Sequence, residues 1–332
     1  MLLRVQSRAT CILCGSSGEL LYEGLEDPLY GVAGQWSYRR CSNSSCRLLW
    51  LDPAPIEEDI GAAYAQYFTH EAAADSPSLP RRVYRRVRSS YLRSRFGYGG
   101  TGSRALGLLG RLHPGSGDVF ASSVMFLPAP SNGASLLDVG AGGGDFVASL
   151  GALGWKASGV ETDPVAAQRA RARGLDVHQG DLESAGFADA SFDAITLAHV
   201  IEHVPDATRM LTECRRLLKP TGRLVLLTPN TASWGHRRYG RDWLYLDPPR
   251  HLHLFNPTNM RRLLADAGLT PLRIATMAIN ASAVLPTSAA IRRARSKRTG
   301  SVRLQATPGG VASQLVERLR LRIDPDAGED LL

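Results

Sequence analysis

Four of the five cysteines stand close together near the N-terminus, as Cys11-x2-Cys14 and Cys41-x4-Cys46. Two thiol pairs joined by a turn-rich loop are the layout of a tetrahedral four-thiolate zinc site, which would give a small unit the core it otherwise lacks. The x4 spacing is wider than the usual second knuckle, which leaves Cys46 the least typical ligand; reduced structural cysteines are the other reading. A closed four-thiolate site has no open position, so Zn2+ there would be structural. Cys214 stands alone in a helical stretch and reads as a core residue.

A second chemistry-bearing stretch is LLDVGAGGGDF, residues 136–146. Glycine in a strand-to-helix turn lets a ligand approach the backbone without obstruction by a Cβ atom. The spacing from Gly140 through Gly142 to Gly144 is G-x-G-x-G, with Asp138 ahead of it. That departs from the G-x-G-x-x-G of dinucleotide sites and suits a cationic, non-phosphorylated ligand. Glu161 follows at a strand end, where a carboxylate accepts hydrogen bonds from a ribose diol, and Asp181 at the next, where it could take an adenine amino group. Helix-cap acids are the bland alternative for each alone.

A third stretch, PPRHLHLF (248–255), sets His251 and His253 one residue apart. Histidine titrates near neutrality and can serve as a general base. A metal site made by the pair lacks a carboxylate or cysteine beside it in the sequence. Arg250 offers a fork that could hold a phosphate or carboxylate, or serve at the surface. His203 in IEHVPD reads as a structural residue at a helix start.

These side chains need elements to position them. From Ser135 the pattern alternates short apolar strands with amphipathic helices: LLDV, KASGVE, LDVHQ, FDAITLA and GRLVLLTP as strands, with helices between. That alternation predicts βαβ units, a parallel sheet and an α/β, doubly wound Rossmann-like fold. A further helix is expected over Pro257–Ala267 and a strand over 271–278. Four consecutive stretches are expected: a zinc-knuckle module at 1–55, an Arg-rich helical cap and linker at 56–130, the ligand-binding domain at 131–280, and a basic extension at 281–332. PGSG at 114–117 reads as linker.

The ordered motifs LLDVGAGGGDF, GVETDP, GDLE, FDAITLAHVIEHVPD and LLKPTGRLVLLTPN resemble the class I S-adenosylmethionine-dependent methyltransferases over roughly residues 135–275. The resemblance implies that Gly140, Ala141, Gly142 and Gly144 line the methionine part of S-adenosyl-L-methionine, Asp138 stands beside them, and Glu161 takes the ribose. It places Asp181 and Leu182 at the adenine, with Ala198 and His199 closing over the sulfonium. Ala141 departs from the cysteine usual there. The cysteines, the stretch Tyr64–Tyr67–Thr69–His70 and PPRHLHLF also resemble a zinc-knuckle subgroup of sugar and glycan methyltransferases. That likeness implies a histidine base, His251 first and His253 second, substrate contacts from Tyr67 and His70, and a place in polysaccharide biosynthesis.

The formal charge of +8 is concentrated, with nine arginines and no acid between Arg81 and Arg111. A basic segment suits a diphosphate-bearing acceptor, a nucleic acid or plain solvation. The acceptor expected is a small polar molecule, a nucleotide-linked sugar or glycan. A quinone-like or natural-product acceptor is the alternative, and RNA, not favoured, the alternative of another class. No apolar run is long enough for a signal peptide or a membrane span, so the expected location is cytoplasmic.

Overall fold

The computed structural model describes the chain except residues 1–2, 65–78, 101, 104–105, 108–115, 298–301 and 304–307. The first strands are β1 (Val5–Gln6), β2 (Gly18–Leu25), β3 (Trp36–Cys41), β4 (Leu49–Leu51) and β5 (Ala54–Pro55). Helices α1 (Glu57–Ile60), α2 (Leu79–Phe96) and α3 (Ser116–Ser122) follow. Next come β6 (Ser135–Val139), α4 (Asp145–Gly151), β7 (Lys156–Glu161), α5 (Pro164–Ala172), β8 (Val177–Gln179), β9 (Phe192–Ala198), α6 (Ala207–Leu217) and β10 (Leu218–Pro229). The remainder is α7 (Trp234–Tyr239), β11 (His253–Leu254), α8 (Pro257–Asp266), β12 (Thr276–Met277), α9 (Ala281–Lys297), α10 (Pro308–Leu321) and β13 (Asp330–Leu331).

Contacts divide the chain into two compact units that interleave in sequence. One comprises Met1–Tyr67, His199–Thr212 and Leu226–Leu332; the other comprises Phe68–Ala198 and Glu213–Val225. Each unit is built from segments distant in sequence.

The second unit carries the α/β core. Strand β6 pairs in parallel with β7 and β9, and β7 with β8, so the sheet there runs β10-β9-β6-β7-β8. Leu136, Leu137, Asp138 and Val139 are all buried, which is why β6 reads as an unbroken run rather than an alternation. Helix α5 starts where Asp163 Oδ1 accepts from Val165 N at 2.8 Å and Pro164 takes the first turn. One apolar cluster gathers Leu136, Leu150, Trp155 and Ala194 with Tyr98 and Phe120, and another gathers Ala141, Val147, Ala167 and Val177. Of the expected linker, Ser116 and Gly117 instead begin α3, whose Phe120 is buried in that first cluster. Several arginines of α2 are structural: Arg88 donates to Ser123 Oγ at 2.7 Å, and Arg93 to the Gly100 carbonyl at 2.9 Å.

In the first unit β2, β3 and β4 form an antiparallel sheet joined by β11, in the order β11-β4-β3-β2. Its apolar side packs Trp36, Tyr38, Leu49 and Leu51 with Trp243, Leu246 and Leu254. The last residues of β10 pair with β13, which also pairs with β12. The strand expected over 271–278 shrinks to Thr276–Met277. Helix α8 opens on a capping box in which Asn256 and Asn259 each bond the other's backbone N–H. Among the described residues no helix is long and apolar enough to cross a membrane.

Candidate functional site

The turn after β6 shows why its glycines alternate. Gly140, Gly142 and Gly144 have φ of 75°, 52° and 81°, the left-handed region that L side chains avoid. At Gly142 an added Cβ would meet nothing within 4 Å, whereas at Gly144 it would strike Leu175 at 2.5 Å. Gly142 thus keeps open space above the loop, and Gly144 lets the start of α4 lie against Ala170 of α5 and Leu175 just after it. Gly140 N and Ala141 N both donate to the Val160 carbonyl, at 2.9 and 3.0 Å, fixing the turn to β7.

Glu161 at the end of β7 closes the loop. Its Oε2 accepts from Gly142 N at 2.7 Å and its Oε1 from Asp163 N at 2.8 Å. Each oxygen retains a lone pair for a further donor, so the carboxylate that the sequence assigns to a ribose also shapes the glycine turn. Asp138 is buried and accepts from Thr196 Oγ1 at 2.7 Å. Burial, opposed by the Thr196 hydroxyl and aided by the nearby Glu161 charge, moves its pKa up to about 7. Asp181 is exposed beyond β8, where its Oδ1 accepts from Ser184 N at 2.6 Å, and Leu182 beside it is buried. Ala198 is exposed at the end of β9. Thus Asp138, the glycines, Glu161 and Ala198 stand at the carboxyl ends of adjacent parallel strands, where open α/β sheets take ligands.

His199 belongs to the other unit and has φ of 55°, unusual for a residue with a side chain. Its Nε2 lies 3.2 Å from Asn280 Nδ2 and its Nδ1 3.3 Å from Glu202 Oε1, with Asp330 Oδ1 3.7 Å from Nε2. Asn280 Nδ2 can only donate, so Nε2 carries the lone pair and Nδ1 the proton. Burial lowers the His199 pKa, but Glu202 and Asp330 outweigh it and the net shift is upward. The side chain stays 29% exposed.

PPRHLHLF lies in the first unit and is more enclosed than its sequence suggests. Arg250 is not available to a substrate: its buried fork binds Asp27 Oδ2 at 2.8 Å, and Asp247 takes both its Nε and Nη2. Its charge is needed inside, because those two carboxylates are buried with it. His251 is buried and its Nδ1 donates to the Tyr245 carbonyl at 2.7 Å. His253, in β11 opposite Trp50, donates Nε2–H to the Pro205 carbonyl at 3.3 Å. Burial is the main cause holding His253 near pKa 4. The two rings do not share a strand face, since only His253 is in β11. Tyr67 and His70 lie outside the described residues.

Glu202, which sequence reasoning passed over, is fully buried between His199 and His203, and Thr228 Oγ1 donates to its Oε2 at 2.9 Å. The signal was the acidic residue inside IEHVPD. Asn280, Tyr245 and Asp330 come to His199 from remote segments and left no local sign.

The cysteines converge as expected. Cys11 and Cys46 Sγ are 3.7 Å apart, Cys14 and Cys41 Sγ 3.3 Å, and all four sulfurs lie within 4.8 Å of one another. Four thiolates on one tetrahedral zinc stand about 3.8 Å apart, so the quartet fits that ion. The Cys14 thiol is lowered to about 6: burial opposes ionisation, but hydrogen bonds from Ser16 and the neighbouring thiols prevail. Beside Cys46 in the same unit, a cavity of about 430 Å3 is lined by Tyr22, Arg40, Arg47, His236, Arg237 and Thr258.

A family model described as a methyltransferase domain, Methyltransf_23, matches residues 118–274. A ubiquinone biosynthesis O-methyltransferase of Cereibacter sphaeroides is 32% identical over 165 residues, covering 46% of this chain and 67% of that protein. The enzyme of the same name from Xanthomonas oryzae pv. oryzae is 35% identical over 150 residues, covering 41% and 63%. Among solved structures, a SAM-dependent methyltransferase from Archaeoglobus fulgidus is similar with a TM-score of 0.43 at 16% identity, over 72% of this chain and 95% of that one. One from Mesorhizobium loti gives 0.43 at 17% identity, over 64% and 94%.

Proposed function

Because the chain belongs to the class I S-adenosylmethionine-dependent methyltransferases, we propose that it is an O-methyltransferase acting on a small hydroxylated acceptor, a quinol-like phenol first. The observation that carries the acceptor is the shared name of its relatives, ubiquinone biosynthesis O-methyltransferase. A nucleotide-linked sugar is the second reading: the cavity has Arg40, Arg47 and Arg237 in its wall, and a diphosphate would compete there with Glu19, which pairs with Arg40 and Arg47, and with Asp324, which pairs with Arg237.

S-adenosylmethionine, when bound, supplies an electrophilic methyl group on a sulfonium. The cradle fits such a cofactor: Gly140, Gly142 and Gly144 present backbone without Cβ atoms, and Glu161 keeps two lone pairs for a ribose diol. Ala141 and Asp138 support that turn, Asp181 and Leu182 serve the adenine, and Ala198 the sulfonium end. Removal of the acceptor proton falls to His199, whose ring is part-exposed and whose Nε2 lone pair the acceptor hydroxyl would take over from Asn280 Nδ2. Glu202 beside Nδ1 stabilises the imidazolium that results. His251 and His253 are set aside as bases because their rings are buried. Zn2+ on the four cysteines would be structural.

The test is transfer of a radiolabelled methyl group from S-adenosylmethionine to catechol-type quinols, sugar nucleotides and RNA, with wild type and His199→Gln. Labelled quinol, with turnover at least about 100-fold lower in His199→Gln and cofactor affinity retained, is the expected result. Label only in the sugar nucleotide would transfer the assignment to the second reading, and full activity in His199→Gln would remove the base.

A further inference from the structure

One side-chain cluster enters this chemistry only through its Glu202. Glu202, His203 and His251 each place a ligand atom so that the three lie within 4.8 Å of one another. Asp247, four residues before His251, has its Oδ2 3.9 Å from His251 Nε2, and the fold brings Glu202 from a segment some 50 residues away. Leu252 N donates to the Glu202 carbonyl at 2.8 Å, and this bond clamps the two segments together.

We propose that Glu202, His203 and His251 bind a divalent first-row transition-metal ion, at a site separate from the four cysteines. Hydrogen bonding prepares both imidazoles for it. A carbonyl oxygen only accepts, so His251 Nδ1 donates to Tyr245 O at 2.7 Å, and His203 Nδ1, which also has Tyr64 Oη at 2.7 Å, donates to Arg250 O at 3.0 Å. Each ring therefore keeps its lone pair on Nε2. A carbonyl on the distal N–H is the usual way ligating histidines are oriented. The carboxylate is fixed as well: Oε2 of Glu202 takes Thr228 Oγ1 at 2.9 Å, and Oε1 lies 3.3 Å from His199 Nδ1. The surrounding charge also favours a cation, since the buried Asp27 and Asp247 share the Arg250 guanidinium, and Glu202 adds a third carboxylate.

Two imidazoles and one carboxylate are borderline ligands, suited to Zn2+, Co2+, Mn2+ or Fe2+ rather than Ca2+. Three protein ligands leave a position for an oxygen ligand, whose proton the ion would make more acidic. That last role, applied to an acceptor hydroxyl, rests on the proposed O-methylation; the binding of the ion does not.

The experiment adds Mn2+ to the full chain after mild chelation, counting residual zinc, and reads free Mn2+ and nitrogen couplings by continuous and pulsed electron paramagnetic resonance. One Mn2+ per chain with couplings from two imidazole nitrogens is expected. His203→Gln and His251→Gln should weaken binding at least about tenfold, while His253→Gln, whose ring stands outside the cluster, binds as wild type. No binding at millimolar Mn2+, a bound ion without imidazole coupling, or unchanged affinity in His203→Gln and His251→Gln would overturn the proposal. If either variant fails to fold, the couplings in the wild-type protein decide. Turnover is not measured, so failure here leaves the methyl-transfer reading standing, and failure of that reading leaves this one.

Discussion

Glu161 and Arg250 look alike in the sequence, each a charged residue beside a glycine or proline turn. Their fates differ because of what else is buried nearby. Glu161 faces backbone N–H groups at Gly142 and Asp163 and stays partly open, so it can serve a ligand and the turn together. Arg250 is enclosed with Asp247, three residues before it, and with Asp27, more than 200 residues away, a partner that no local pattern announces. The dual role of Glu161 gives a test. Glu161→Ala should weaken S-adenosylmethionine binding by about 10- to 100-fold and speed amide exchange at Gly142, because the turn loses its clamp. Calorimetry with exchange mass spectrometry would read both. Weakened binding without faster exchange would confine the carboxylate to ligand contact.

Among the elements, the parallel strands were legible because largely buried β-strands are mostly apolar, as LLDV and FDAITLA are. The helix start at Pro257 was legible as well. What escaped lay in two-residue strands: of the strand expected over 271–278 only Thr276–Met277 pairs, and β11 and β13 are too short for any period to show, their register coming from partners far along the chain. The N-terminal sheet was readable only through its cysteines, since β2 is interrupted by register shifts against β3. Those cysteines join the ends of the β2–β3 hairpin to the turns on either side, so the metal should stabilise the element as a whole. Cys14→Ser, or prolonged chelation of the wild-type protein, should lower the melting temperature by at least about 5 °C. Cobalt in place of zinc should give the intense near-ultraviolet bands of thiolate ligation, and their absence would leave the quartet as plain reduced cysteines.

The C-terminus returns to the unit in which the chain begins, and it does so through buried acids. Glu329 accepts from Gly235 N at 2.7 Å, Trp243 Nε1 at 2.7 Å and Ser233 Oγ at 3.1 Å, while Glu317 Oε1 accepts from Glu329 N at 2.6 Å. Gly235 is required there, since a Cβ would lie 2.1 Å from a Glu329 oxygen. Burial first, and the neighbouring carboxylates second, push Glu317 up to about 10; burial, against several hydrogen bonds, brings Glu329 to about 7. Asp138 in the other unit is raised in the same way, to about 7. A carboxyl group whose folded pKa exceeds its unfolded one holds its proton more tightly when folded. Its contribution is therefore least unfavourable below the unfolded value, near pH 4, and worsens until the folded pKa is passed. For Glu329 and Asp138 that window closes near pH 7, and for Glu317 it continues to about 10. Each such group costs up to about 1.4 kcal/mol per pH unit inside its window. These three groups should therefore make the melting temperature fall between pH 5.5 and 8.5. Glu317→Gln keeps the acceptor for Glu329 N and removes the ionisation, so its melting temperature should fall less over that range and exceed the wild type most at pH 8.5. Parallel pH profiles for the two proteins would show that Glu317 is ionised in the fold, contrary to its burial.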